Sequence, residues 1–207
     1  MNKKNILILS PHTDDGEWGA GATISRFVEE GYNVYYAAFS TCKQSLPEGC
    51  HEDTLKHECE NATTVLGVHK VYFFDFQVRY FSYKRQEILE EMVKIRKEID
   101  PWLVLMPCST DFHQDHEVIH KEGIRAFKSA NILGYELIWD VVTMHTSFFS
   151  KITSTHLKKK VEALMCYVSQ SFRNYHNEEF IKSLAVTRGV QVGGQLAEAF
   201  EVIRWVL

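Results

Sequence analysis

The stretch that most constrains this chain is Ile6-Leu7-Ile8-Leu9, followed after Ser10 by Pro11-His12-Thr13-Asp14-Asp15. An unbroken apolar run of this kind fits a parallel strand covered by helices on both faces. Beyond the polar stretch, Ala20, Ile24, Phe27 and Val28 recur at helical spacing up to Gly31, a C-terminal stop. One imidazole and two carboxylates therefore sit where a strand hands over to a helix.

The same alternation continues. Val34 to Phe39 reads as a second strand, and a helix begins near Asp53, a candidate N-cap, and runs to Gly67. Val71 to Phe74 is a third strand. From Ser82, the spacing of Ile88, Leu89, Met92, Val93, Ile95 and Ile99 predicts an amphipathic helix ended by Asp100-Pro101, and Trp102 to Met106 is a fourth strand. A helix over Glu117 to Ser129 follows, then extended segments near Tyr135 to Trp139 and Val141 to Phe149. Helical patterns return at Thr155 to Tyr167 and Glu178 to Phe200, with Gly189, Gly193 and Gly194 interrupting the second.

Strand alternating with helix predicts an α/β sandwich with a mainly parallel sheet. A chain of 207 residues, 45% of them hydrophobic, fits one domain over residues 1–207. If the strands take the common 3-2-1-4 order, the first and fourth are neighbours at the switch point where ligands bind. A second polar cluster, His113-Gln114-Asp115-His116, follows the fourth strand. Topology thus predicts one joint site from two segments distant in sequence.

A catalytic zinc takes about three protein ligands and leaves one position open. His12, Asp15 and His116 supply such a set, with Fe2+ as the alternative ion. Asp14 is then free to act as a base, while His113 can stabilise an oxyanion or protonate a leaving amine, its tautomer fixed by Asp115. That arrangement hydrolyses an amide or ester. Two histidines and a carboxylate also describe a non-haem iron site, and a catalytically silent sugar- or nucleotide-binding module would use the same cleft.

Other signals are weaker. The net charge of -4 argues against a nucleic-acid partner, and no run is long enough for a membrane span. Met1 to Ser10 lacks the apolar core of a secretory signal, so it reads as the first strand of a cytoplasmic protein. Cys42, Cys50, Cys59, Cys108 and Cys166 form no paired CxxC pattern, which favours reduced thiols. Cys50, His51, His57 and Cys59 match no standard zinc module, and the order of Gly16, Gly19 and Gly21 is not that of a dinucleotide site. Lys158 to Lys160 reads as a solvated helix face. Trp18 and Arg79 are candidate substrate contacts, within a region whose aromatic residues mainly serve as core.

Pro11-His12-Thr13-Asp14-Asp15 resembles the (A/P)HPDD motif, and Asp111-Phe112-His113-Gln114-Asp115-His116 the DxHxDH motif, of the LmbE/PIG-L-type N-acetylglucosaminyl deacetylases. The resemblance extends to Glu58, Ala62 and Leu66-Gly67-Val68, to Lys160, Ala163-Leu164 and Ser169-Gln170, and to Arg188, Gly193 and Ala197-Glu198-Ala199-Phe200. It implies a Rossmann-like three-layer sandwich, the LmbE-like deacetylase fold, and a zinc-dependent hydrolase that removes acetyl groups from N-acetylated amino sugars and their conjugates. It also implies His12, Asp15 and His116 as metal ligands, Asp14 as general base, and His113 as electrostatic catalyst supported by Asp115. The partner is then a small N-acetylated molecule, with homo-oligomerisation left open. The chain departs from the family pattern at Thr13, in place of proline, and at Leu55, in place of a substrate-holding arginine. Thr41-Cys42-Lys43-Gln44 also replaces the usual Thr-x-Gly-Glu/Asp. The first bears on loop stiffness more than on ligation, and the other two bear on the substrate rather than on the chemistry.

Overall fold

The apolar run forms the central strand, and Ile6 to Leu9 have no exposed surface. The computed structural model describes residues 4–206. Its first half alternates strand and helix: β1 Asn5–Ser10, α1 Asp15–Glu29, β2 Asn33–Ala38, α2 Thr54–Leu66, β3 Lys70–Phe73, α3 Arg85–Ile99 and β4 Leu103–Pro107. The remainder is α4 Gln114–Ala126, β5 Asn131–Tyr135, β6 Phe148–Lys151, α5 Ser154–Leu164, α6 Glu178–Val190 and β7 Ala197–Arg204.

The sheet order is β3-β2-β1-β4-β5-β7-β6. β1 pairs in parallel with β2 and β4, and the outer pairs β2–β3 and β4–β5 are parallel too. Because side chains alternate along a strand, Ile6 and Ile8 face α1, α2, α5 and α6, whereas Leu7 and Leu9 face α3 and α4. The result is a Rossmann-like three-layer α/β sandwich. Among the described residues, no helix is long and apolar enough to cross a membrane.

The C-terminal half corrects the sequence reading. β5 begins at Asn131 rather than near Tyr135, and most of Val141 to Phe149 is irregular, with β6 starting only at Phe148. The helical pattern over Glu178 to Phe200 stops at Val190, and Ala197–Arg204 is a strand lying antiparallel between β5 and β6. Two glycines account for the reversal. Gly193 has φ +62°, and a side chain at Gly189 would meet the Gln195 backbone at 2.5 Å.

Lys160 is not on a solvated face either, being 5% exposed. Its Nζ donates to the Trp18 carbonyl at 2.6 Å and to Glu198 Oε1 at 2.6 Å. Glu198 in turn accepts from the N–H groups of Ala22, at 3.2 Å, and Thr23, at 2.7 Å. A regular helix pairs Ala22 N–H with Trp18 C=O; here a buried ion pair from α5 and β7 engages both groups. The middle of α1 is thereby braced from the side, behind the loop that carries His12 to Asp15.

Removing the cation of a buried pair leaves an uncompensated charge. Lys160→Met should lower unfolding free energy by about 3–5 kcal/mol, or Tm by about 6–20 °C, read by urea and thermal denaturation. A loss below about 1 kcal/mol would place Lys160 among ordinary surface residues.

Candidate active site

The register Ile6↔Leu103 and Ile8↔Leu105 brings the C-terminal ends of β1 and β4 together. The loop after β1 turns sharply. Ser10 Oγ donates to the His12 carbonyl at 2.5 Å and accepts from Gly16 N–H at 3.0 Å. A Cβ at Gly16 would lie 2.6 Å from the Tyr36 ring, so only glycine fits. Thr13 is held without proline's rigidity: its carbonyl accepts from the Tyr36 hydroxyl at 2.9 Å and the Tyr167 hydroxyl at 2.7 Å. Both tyrosine hydroxyls also lie within hydrogen-bond distance of buried Glu17, whose carboxyl burial pushes up to about 8.

Three atoms from the two loops form a nearly equilateral triangle. His12 Nδ1 lies 3.1 Å from Asp15 Oδ2, His116 Nε2 lies 3.3 Å from that oxygen, and the two nitrogens are 3.2 Å apart. A tetrahedral ion with bonds of about 2.0–2.1 Å needs donor separations of about 3.3–3.4 Å. The chain's own donor atoms, 3.1 to 3.3 Å apart, lie slightly inside that spacing.

The remaining ring nitrogens are tied to carboxylates. His12 Nε2 donates to Asp115 Oδ2 at 3.2 Å and His116 Nδ1 to Asp111 Oδ2 at 2.8 Å, which points both free lone pairs at Asp15. Asp111 has this positioning role unannounced by the motif reading, though the need of a ligating histidine for an outer carboxylate was a usable signal. Its other oxygen accepts from His113 N–H at 2.9 Å.

Asp115 meets His113 through its backbone rather than its carboxylate. The Asp115 carboxylate serves His12, while the Asp115 backbone N–H donates to His113 Nδ1 at 3.2 Å. This follows from His113 being the N-cap of α4. The His113 ring stacks on His116 with centroids 4.3 Å apart, and its proton is left on Nε2.

Electrostatics separate the roles. Burial lowers His12, but Asp15 and Asp115 outweigh it and raise it to about 9. Burial likewise lowers His116, while Asp15 and Asp111 raise it to about 10. Burial opposes the Asp15 charge, yet His116 and His12 hold its carboxyl well below the usual range. Asp14 moves the other way, raised by burial and by Asp15, and it makes no side-chain cap bond to α1. Burial and the two neighbouring imidazoles push His113 down to about 4, so it is neutral at neutral pH.

These groups open onto a cavity of about 300 Å³. Cys42, Leu55 and Val78 make an apolar wall, and Trp139 and Tyr175 line it as a stacked pair with centroids 4.0 Å apart. Arg79, Asp140 and Arg173 add charge. Burial raises Asp140 to about 6. Arg79 is thus brought to the cavity, but Trp18 is not. It is 5% exposed and packs edge-on against Trp139 and Tyr175, because the second turn of α1 faces inward. Trp139, Tyr175 and Arg173 lie in loops with no sequence periodicity to place them. Besides that triangle, His12–His113–His116 and Asp111–His116–Asp140 also bring donor atoms within reach of one ion, whereas among the described residues Cys50, His51, His57 and Cys59 form no such group.

A 3-2-1-4-5 parallel sheet with a His/Asp donor set beyond β1 and β4 defines a class of α/β proteins that build their site at the switch point. Within that class the chain belongs to the PIG-L (GlcNAc-PI de-N-acetylase) family, whose profile matches residues 7–127. Diacetylchitobiose deacetylase from Thermococcus kodakarensis is 24% identical, covering 97% of this chain and 83% of its own length. The 4-oxalmesaconate hydratase from Pseudomonas putida is also 24% identical, over 91% of this chain and 81% of its own. The structure of N,N'-diacetylchitobiose deacetylase from Pyrococcus horikoshii, complexed with its inhibitor, superposes with a TM-score of 0.81 at 21% identity, covering 98% of this chain and 84% of that one. The relatives thus include deacetylases of N-acetylated sugars.

Protons and a metal ion compete for the same lone pairs on His12 and His116. Because both imidazoles are raised to about 9 and about 10, zinc uptake near neutral pH should expel about two protons, and affinity should fall up to about 100-fold per pH unit on acidification. Zinc titration in weak buffer at several pH values checks this. Affinity independent of pH would remove these two imidazoles from the ligand set.

Proposed function

We propose that this chain is a divalent-metal-dependent deacetylase, zinc being the first candidate ion, which hydrolyses the acetamide of an N-acetylated amino sugar or sugar conjugate. The observation that carries this reading is the donor triangle of His12, Asp15 and His116 with the uncapped Asp14 carboxylate beside it. When bound, the ion supplies Lewis-acid polarisation and an acidified water.

Asp14 takes a proton from the attacking water as its oxygen bonds to the acetyl carbon, and returns that proton to the amine nitrogen as the amide C–N bond breaks. Its raised pKa brings it nearer to working pH than an ordinary aspartate. Neutral His113 offers Nε2–H to the oxyanion that develops on the former carbonyl. Asp115 and Asp111 position these groups and do not react. The cavity volume lies at the lower end of small-molecule sites, and the Trp139–Tyr175 pair supplies an aromatic edge for a sugar ring.

Gln170, Arg173 and Tyr175 reach the cavity from beyond α5, so residues 1–207 act as one functional domain. All five cysteines are free, which fits a reducing, cytoplasmic setting. The hydratase relative supports a second reading, in which the same base activates water for addition to a conjugated double bond.

An acetate-release screen of the zinc-loaded protein over N-acetylhexosamines and their conjugates separates the two. Asp14→Asn should retain zinc and lose about 10²–10⁴-fold in kcat, and His113→Gln about 10²–10³-fold. Full activity in Asp14→Asn with metal bound would dismiss the base assignment. Loss of diene absorbance from an unsaturated dicarboxylate, without acetate release, would select the hydratase.

A further inference from the structure

Among the described residues, two arginines on the cavity form no ion pair with a carboxylate, although Arg173 is near enough to Asp14 to oppose the rise of its carboxyl. Arg79 lines the cavity and is exposed, and its guanidinium has no hydrogen-bond or ion-pair partner among the described residues. Arg173 donates through Nε to the neutral amide of Gln170 at 2.8 Å and lies 5.8 Å from the Tyr175 ring centroid. The chain's other arginines are committed. Arg26, Arg85, Arg125 and Arg188 meet carboxylates, and Arg96 and Arg204 meet backbone carbonyls. The two arginines without such a partner are thus the two at the site.

Arg79 is also held in place by the site. Its φ is +70°, a left-handed conformation that a non-glycine residue keeps only under tertiary constraint. The constraint is Asp115, whose Oδ2 accepts the Arg79 N–H at 2.6 Å and also faces His12 Nε2 at 3.2 Å. The Phe81 N–H, donating to Asp115 Oδ1 at 3.4 Å, holds the same loop from its far side. The acids that share the cavity do not neutralise this arginine. Asp15 is engaged by His12 and His116, and neither Asp14 nor Asp140 forms an ion pair with it.

We propose that Arg79, with Arg173, reads an anionic group on the substrate, so that the natural N-acetylated molecule carries a carboxylate or phosphate beyond the acetamide. The guanidinium fork matches either anion in bidentate geometry. The apolar wall of Leu55 and Val78 cannot hydrogen-bond sugar hydroxyls, which moves recognition from the ring to its charged substituent. This inference rests on the deacetylase reading for the chemistry but not for the binding.

The test compares zinc-loaded wild type with Arg79→Ala, Arg79→Lys and Arg79→Ala/Arg173→Ala on three N-acetylglucosaminides. One carries a neutral alcohol as aglycone, one a hydroxy acid, and the third is a sugar phosphate. The wild type should prefer at least one anionic substrate by about 10–100-fold in kcat/KM, through KM, and the preferred arm identifies the anion. That preference should collapse in the double variant and recover in part in Arg79→Lys. Equal turnover of all three substrates, or a preference that survives in the double variant, would overturn the proposal. Calorimetric titration with malate and with inorganic phosphate reads the site without turnover. Anion binding lost in the double variant, with no acetate from any substrate, keeps the arginine site and rejects the deacetylase chemistry. Acetate release with identical anion binding in wild type and double variant does the reverse.

Discussion

Parallel pairing of β1 with β4 is the constraint on which this site depends. Neither loop is sufficient alone. The first brings His12 and Asp15, the second brings His116 with the carboxylates that orient both imidazoles. His12 and Asp115 are 103 positions apart in sequence and 3.2 Å apart in space. The sheet supplies that proximity through its order, and helices on both faces exclude water from the strands beneath. The donor set is therefore assembled on a rigid, dry floor with only its upper side open.

Asp115 concentrates several functions in one residue. Its two carboxylate oxygens meet an imidazole and two backbone N–H groups, and its own N–H meets a second imidazole. Fully buried, it has no water to compensate for a missing partner. The tautomer of His12, the tautomer of His113 and the strained backbone of Arg79 are consequently one linked problem. An error in any of them would be felt by the other two.

The sequence made the first half of the fold legible because its strands are short apolar runs separated by strongly periodic helices. His12, Asp14, Asp15, His113 and His116 were legible because their types and their place after two strands carry chemistry. The rest was hidden for physical reasons. Ala197-Glu198-Ala199-Phe200 suits a helix or a strand equally well, and only contact with β5 and β6 decides. Trp18 has the residue type of a sugar platform, but the rotation of α1 directs it into the aromatic cluster. No local pattern announces a positive φ at an arginine, since the force that maintains it comes from α4. Lys160, Arg188 and Glu198 hold the scaffold through ion pairs, Lys160–Glu198 buried and Arg188–Glu136 partly so.

The brace in α1 has a consequence for the order in which the protein is made. Residues 7–127, the span matched by the family profile, already contain all three proposed metal donors. The groups that engage the middle of α1 arrive only with Lys160 and Glu198. Because synthesis proceeds from the N-terminus, a growing chain holds a complete set of candidate ligands long before it holds the parts that secure their supporting helix. Support of the earliest loop thus waits on residues placed much later in the sequence.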